Sequence, residues 1–369
     1  MYRKIVRILK EILPCLVLFS ISLTFTLLYT YQSPYLIGAD TQKEYEIFLY
    51  TLINGQWGIY TDNVINSCLS VSVLPHAVYK ILNVNALVLY KTLYPVIASF
   101  IPPVVYFTAR KYLNIGMSFV AGMLVLTSSC HIWAASYARN VTGLLLFSIA
   151  VLLVTRDYKY KNWCVASLLA VAILDYYAIG LMIAVIIYLH YAVGRITGST
   201  PLIGYGAMLF IFALMFYWYA WVNSYVMYDL FRSAFAGIKS GEININILDM
   251  QQSVTYMIML LAVGVITILG YYACRNKYNL EYKTLIIVAS IIMLIAVVTP
   301  DFEILYGIGR LQYMLTPIFA VPFIQGVHSI SSRNKYLKYA TWVILVIAIL
   351  FVAYRVLPAD PSNIYPYGR

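Results

Sequence analysis

The chain has 369 residues, of which 62% are hydrophobic and 11% charged, and its net charge is +11. Soluble domains carry roughly 25% charged residues, so this composition excludes an ordinary water-soluble protein; a mean hydropathy of +0.81 and repeated apolar runs long enough to cross a bilayer describe an all-α polytopic membrane protein. The basic excess is spread over short loops, which excludes nucleic acid as a partner and points to positive-inside topology and contact with anionic lipid.

The N-terminus, Met1-Tyr2-Arg3-Lys4 and onward, is basic and runs into an apolar stretch from about Ile12 to Tyr31. That stretch is too long for a signal-peptide core and is followed by no small-residue cleavage site, so it reads as a retained first span. Further spans are expected at 86–108, 116–134, 140–155, 162–175, 177–194, 201–222, 253–273, 284–300, 308–328 and 338–356, about eleven in all. With the N-terminus cytoplasmic, the inner segments hold 16 of the 25 basic residues, among them Arg110, Lys111, Arg156, Lys161 and Arg275, and only three acidic ones, Glu11, Asp157 and Glu281. This asymmetry places the N-terminus inside and the C-terminus outside, in a plasma membrane. The whole chain, 1–369, reads as one membrane domain.

Residues 67–82 are apolar enough to imitate a span but hold Pro75, His76 and Lys80. They are better read as a helix lying at the interface. Residues 32–85 then form one long outer loop with two short helices, about 42–54 and 67–82, and a connection of that length is uncommon without a function. A second long outer segment is expected at 223–252, and a third, at 300–310, carries Asp301, Glu303 and Arg310. The 36 tyrosines read as interfacial anchors. The five cysteines, at 15, 68, 130, 164 and 274, have no paired or metal-like spacing.

The first outer loop opens with Gly38-Ala39-Asp40-Thr41-Gln42-Lys43-Glu44-Tyr45-Glu46. Carboxylates beside a membrane span are costly unless they have partners or a task. Asp40 and Glu44 are four apart and share one face of a helix. Two carboxylates so placed repel unless a cation or substrate lies between them, and their proton affinities separate, giving one group suited to proton abstraction. The alternatives are local: Thr41 and Glu44 fit a capping box, and Asp40 fits a turn after Gly38. Lys91, Arg139 and Arg310 are isolated cations at the outer ends of apolar spans. Such groups either snorkel to the headgroups or pair with an anion, and a guanidinium suits phosphate. His76, Lys80 and Asp175 are accessory candidates; Asp175 equally suits the tight turn Asp175-Tyr176-Tyr177, and His131 reads as a hydrogen-bonded structural group. There is no P-loop, dinucleotide fingerprint, zinc-protease motif or nucleophile elbow.

A first span, a long outer loop with an early acidic motif, and outer-face arginines resemble the GT-C superfamily of membrane glycosyltransferases, which includes the protein O-mannosyltransferases and the lipid A aminoarabinose transferases. The chain also resembles an uncharacterised archaeal family of membrane proteins placed in that superfamily. The resemblance rests on Gly38-Ala39-Asp40 through Glu44, Leu74-Pro75, Tyr90-Lys91-Thr92-Leu93-Tyr94-Pro95, Ala138-Arg139-Asn140 and Gly309-Arg310-Leu311. It implies a polyprenyl-phosphate sugar donor and inverting transfer on the outer face to a glycan, lipid or protein acceptor. Asp40 would be the base, and Glu44 would orient the acceptor or help hold a divalent cation. Lys91, Arg139 and Arg310 would stabilise the phosphate leaving group. The larger family members carry a soluble domain after the last span that this sequence lacks, which leaves an accessory role open. Two other readings stay open from the residues: a transporter or flippase of lipid-linked glycans, and an O-antigen polymerase or ligase.

Overall fold

The computed structural model describes residues 2–59, 64–134, 138–228, 232, 262–298, 308–332 and 364–365. The expected span at 338–356, the first part of that at 253–273, most of the segment at 223–252, and Asp301 and Glu303 lie outside these residues. The described chain is helical. Helix α1 (Tyr2–Thr30) leads through a two-residue strand β1 (Leu36–Ile37) to α2 (Ala39–Asn54), a 3-10 turn (Val64–Ser67) and α3 (Leu69–Leu82). Then come α4 (Ala86–Ala98), α5 (Ile101–Arg110), α6 (Ile115–Leu126), α7 (Ser129–Ala134), α8 (Ala138–Val154), α9 (Lys161–Asp175), α10 (Tyr177–Thr197) and α11 (Tyr205–Phe216), which runs on as a π-helical turn to Val222. Helices α12 (Ala262–Cys274), α13 (Leu280–Val298) and α14 (Ile308–Ser331) complete the bundle.

Among the described residues five helical stretches are long and apolar enough to cross a membrane: Leu9–Thr30, Ala86–Arg110, Tyr177–Thr197, Tyr205–Val222 and Gly309–Ser331. Each coincides with an expected span. The expected spans at 140–155, 162–175 and 284–300 correspond to α8, α9 and α13, whereas that at 116–134 is broken between α6 and α7. The outward faces are apolar, as with Leu9, Leu13 and Leu16 on α1 and Phe210 and Phe216 on the α11 stretch. An exposed face of this kind suits hydrocarbon and not water.

The two ends of the bundle differ. At one end Arg110 grips Glu11 with two hydrogen bonds of 2.8 and 2.6 Å, Lys111 faces Asp157 at 3.7 Å, and Lys161 pairs with Glu281, which also accepts from Thr200 at 2.8 Å. These are the three carboxylates assigned to the inner side, and each meets a base assigned to the same side. Helix α8 connects the ends. Its last turn receives Asn279 at the Val154 carbonyl, 2.8 Å, and its first turn, about 25 Å away at 1.5 Å per residue, meets the acidic loop.

Tyrosine has a second use besides anchoring. Tyr94, Tyr106, Tyr219 and Tyr282 are fully buried, and their hydroxyls reach polar partners: Tyr94 donates to the Ser70 carbonyl at 2.8 Å, Tyr282 to that of Ile318 at 2.7 Å, and Tyr219 to that of Ile173. Between α1, α7 and α14, His131 bonds Ser22 through Nε2 at 2.8 Å and the Tyr313 hydroxyl through Nδ1 at 2.7 Å. Inside a membrane bundle such interhelical hydrogen bonds fix helix pairing where apolar burial cannot.

Where α12 crosses α14, backbone meets backbone. A Cβ on Gly270 would overlap the Pro322 carbonyl, and one on Gly326 that of Ile266. Gly270→Val is expected to destabilise the protein by roughly 3 kcal/mol by forcing the helices apart. Gly264→Ala on the same helix, where an added Cβ meets nothing within 4 Å, is expected to be neutral. Thermal unfolding of both variants in detergent checks the contrast.

Candidate functional site

The chain leaves α1 at Thr30 and is caught by Lys91 near the start of α4. The buried Lys91 ammonium donates to the Ser33 carbonyl at 2.5 Å and the Tyr35 carbonyl at 3.2 Å, and stands 4.8 Å from the centre of the Tyr31 ring. This satisfies carbonyls that the end of a span would otherwise leave bare. Strand β1 follows and pairs antiparallel with β2 (Ile364–Tyr365), Leu36 opposite Tyr365 and Ile37 opposite Ile364. Residues 364–365 therefore lie at the same end of the bundle as the acidic loop. Gly38 then turns the chain into α2 with φ 104°, a backbone conformation that only glycine takes without strain.

Helix α2 starts at Ala39, three residues before the expected position, so Asp40 lies in its first turn. There the carboxylate is favoured by the helix dipole. Thr41 donates its hydroxyl back to the Ile37 carbonyl at 2.9 Å, and Gly38 caps the helix without a side-chain bond. The capping-box reading of Glu44 is thus corrected. Glu44 does cap a helix, but a distant one: its Oε2 accepts the Ala138 N–H at the start of α8 at 2.8 Å, and the Tyr90 hydroxyl at 3.3 Å. The free N–H groups of a helix start are the natural partners of a buried carboxylate.

Arg139 follows Ala138 and projects between the two carboxylates. Its Nη2 donates to Asp40 Oδ2 at 2.6 Å, and its Nε stands 3.3 Å from Glu44 Oε1. The second contact is close enough for an ion pair but is not aligned as a hydrogen bond; Nε, Nη1 and Glu44 Oε1 make no hydrogen bond. The guanidinium lies 5.4 Å from the centre of the Tyr176 ring. Side-chain exposure grades sharply through the trio: 39% for Asp40, 5% for Arg139 and 0% for Glu44. Burial pushes the Glu44 carboxyl up to about 7, against the opposing pull of Arg139 and the Ala138 N–H.

The other candidates fall into place around this trio. Asp175 is buried at the C-terminal end of α9, against Ser70 at the start of α3, and its Oδ2 has no hydrogen-bond partner. The turn after it is as tight as expected, α10 beginning at Tyr177. Arg310, in the first turn of α14, is exposed and close enough to Tyr176 to act on it electrostatically. His76 and Lys80 sit further along α3, about 9 and 15 Å from Ser70 along the helix axis, and Lys80 is exposed. The structure therefore joins Asp40, Glu44 and Arg139 directly, sets Asp175 and Arg310 beside them, and directs Lys91 to backbone carbonyls. Tyr90 and Tyr176 belong to the site and escaped the sequence reading. Both adjoin residues it singled out, Lys91 and Asp175, but aromatic neighbours in a tyrosine-rich chain carry no distinguishing signal.

Among the described residues no group of three His, Cys, Asp or Glu side chains is placed to hold a metal ion. Asp40 and Glu44 are the pair that would do so, and the space between them holds the Arg139 guanidinium. In its present form the site does not fit a divalent cation.

No protein-family model matches the chain, and no curated protein is similar to it in sequence. Solved structures are similar to it in fold. The apo oligosaccharyltransferase of Archaeoglobus fulgidus superposes with a TM-score of 0.58 at 11% identity, over 96% of this chain and 57% of that protein. The same enzyme in complex with zinc and sulfate gives 0.56 at 13% identity, over 95% and 54%. The archaeal oligosaccharyltransferase AglB of A. fulgidus, with an inhibitory peptide and a dolichol-phosphate, gives 0.53 at 12%, over 96% and 56%. The chain thus spans little more than half the length of these proteins. The likeness is one of fold: the described helices follow the arrangement of these archaeal oligosaccharyltransferases.

Proposed function

We propose that the protein is a membrane glycosyltransferase that moves a sugar from a polyprenyl-phosphate donor to an acceptor, with inversion at the sugar carbon. The observation that carries this reading is the trio Asp40–Arg139–Glu44, assembled from residues about a hundred positions apart at one end of the bundle, in a fold shared with oligosaccharyltransferases. One of those structures holds a dolichol-phosphate, and in a further structure of the A. fulgidus oligosaccharyltransferase the enzyme is tethered to an acceptor peptide containing the NVT sequon, so donor and acceptor of these kinds are the natural classes here.

Asp40 is the base. Arg139 holds Oδ2 at 2.6 Å, which fixes a carboxylate whose side chain is still 39% exposed, and the acceptor proton is assigned to its other oxygen. As the acceptor oxygen or nitrogen bonds to the sugar carbon, its proton passes to Asp40, the bond from that carbon to the phosphate oxygen breaks, and polyprenyl phosphate departs with the electron pair. The departing charge needs a cation. Lys91 is engaged by the Ser33 and Tyr35 carbonyls and Arg139 by the carboxylates, so the role falls to Arg310, an exposed guanidinium in the first turn of a helix. Helix starts favour anions, and an arginine adds a bidentate donor. Glu44 orients Asp40 through Arg139 and does not touch substrate. Lys91 keeps the path from α1 to Asp40 in place. The placement of ion pairs and carboxylates at the two bundle ends favours this reading over a transporter, which would set its charges near the midplane.

The test is transfer from a radiolabelled polyprenyl-phosphate sugar by the purified protein in lipid vesicles, with peptide, glycan and lipid acceptors; no transfer to any of the three overturns the reading. Arg310→Ala is expected to weaken binding of polyprenyl phosphate roughly tenfold or more, the effect of one charge-assisted phosphate contact. Lys91→Met is the comparison, and an equal loss there would return the phosphate role to Lys91.

A further inference from the structure

We infer that Arg139 is the resident cation of this site, occupying the position where a divalent metal ion would bridge Asp40 and Glu44. The inference rests on the proposed placement of the active site but not on the identity of donor or acceptor. Four-residue spacing on α2 sets both carboxylates on one face, and α8 delivers a single guanidinium to them, 2.6 Å from one and 3.3 Å from the other. A metal ion bridging the same oxygens would stand about 2.0–2.6 Å from each. Ion and guanidinium cannot share that space.

Charge gives the same answer. Asp40, Arg139 and Glu44 sum to one negative charge when both carboxyls are ionised, and to zero when Glu44 is protonated. A divalent ion added to that group would be desolvated beside a buried guanidinium, and at contact distances in a poorly screened interior that repulsion is prohibitive. The groups around the trio are arranged for the arginine as well. Tyr176 lies under the guanidinium at 5.4 Å, which suits a flat cation. Ala138 and Tyr90 saturate one oxygen of Glu44 and leave Oε1 facing Arg139. Two carboxylates are enough to seat a hard divalent ion that keeps several of its waters, so what bars the ion here is the guanidinium already between them. Unlike a bound ion, a guanidinium on α8 cannot be removed by chelation, so the geometry of Asp40 does not depend on metal supply.

The inference predicts an exchange of cations on substitution. In Arg139→Ala the two carboxylates face each other across an emptied polar space, and a divalent ion is the species that relieves their repulsion. Manganese binding is followed by electron paramagnetic resonance on protein in vesicles, with thermal unfolding beside it. Wild-type protein is expected to bind no manganese that is lost in Asp40→Asn, and EDTA leaves its melting temperature unchanged. Arg139→Ala is expected to gain one manganese site, lost again in the Arg139→Ala/Asp40→Asn double variant, and to melt higher with manganese than without. Manganese binding to wild type that disappears in Asp40→Asn overturns the inference, as does an Arg139→Ala protein that folds without gaining the site. If Arg139→Ala fails to fold, the wild-type and Asp40→Asn measurements decide alone. None of these readouts involves sugar transfer, so failure of the enzyme reading and failure of this inference are distinguishable.

Discussion

Asp40→Asn is expected to lower sugar transfer by roughly 10²–10⁴-fold, the usual contribution of a positioned general base, while leaving donor binding and the fold in place. Asparagine keeps the shape of the side chain, and its amide oxygen can still accept the Arg139 Nη2 hydrogen that now reaches Asp40 at 2.6 Å. What it loses is the ability to take a proton from the acceptor. The stability cost is expected to be roughly 1–3 kcal/mol: the Asp40 side chain is 39% exposed, but the Arg139 guanidinium, 5% exposed, is left with a neutral acceptor in place of a charged one. Single-turnover transfer of a labelled sugar, together with a binding isotherm for polyprenyl phosphate and a melting curve, separates these effects. Transfer at the wild-type rate would remove Asp40 from the chemistry. Loss of folding would instead make its bond to Arg139 the main role.

The parts of this site that were legible in the sequence are those imposed by the bilayer. Lipid demands long apolar runs and rejects unpaired charge, so five spans coincide with described helices, and Glu11, Asp157 and Glu281 each find a base on their own side. Asp40, Glu44 and Arg139 stood out for the same reason, as charges that apolar surroundings make costly. The partners were not legible, because each is non-local. Thr41 and Glu44 satisfy the capping-box spacing, yet the N–H groups left open at the start of α8 are a stronger attraction for a fully buried carboxylate than a local cap. Lys91 looks like a phosphate ligand in sequence because nothing local reveals that Ser33 and Tyr35 present it with bare carbonyls. The two-residue pairing of β1 with β2 joins chain positions more than three hundred apart, with no periodic signal at either end. Tyrosine misled in a different way: an amphipathic ring serves equally at the headgroups and in a buried contact where its hydroxyl meets a carbonyl, as Tyr94 and Tyr282 do.

The second large effect concerns pH and stability, and it rests on Glu44. Burial raises its carboxyl from the ordinary value of 4.5 to about 7. The unfolded chain releases this proton near 4.5, whereas the folded protein keeps it until about 7. Between those values the native state binds more protons, so stability falls as pH rises. The contribution is full below the unfolded value, is lost as pH climbs through the folded one, and is flat beyond it. The span corresponds to on the order of 3 kcal/mol. Glu44→Gln carries no titrating proton and still offers an oxygen to the Ala138 N–H, so the stability of the variant relative to wild type is expected to rise by that amount between pH 4.5 and 8. Unfolding of both proteins in detergent across this range measures it. The opposite slope, with wild type gaining on the variant as pH rises, would mean that Arg139 outweighs burial and that Glu44 is held ionised. The two outcomes describe different sites. In the first, Glu44 is a protonated, neutral hydrogen-bonding group below about pH 7, and there the positive charge of Arg139 is committed to Asp40 alone, which keeps the base oriented. In the second, one guanidinium is shared by two carboxylates and Asp40 is held less firmly.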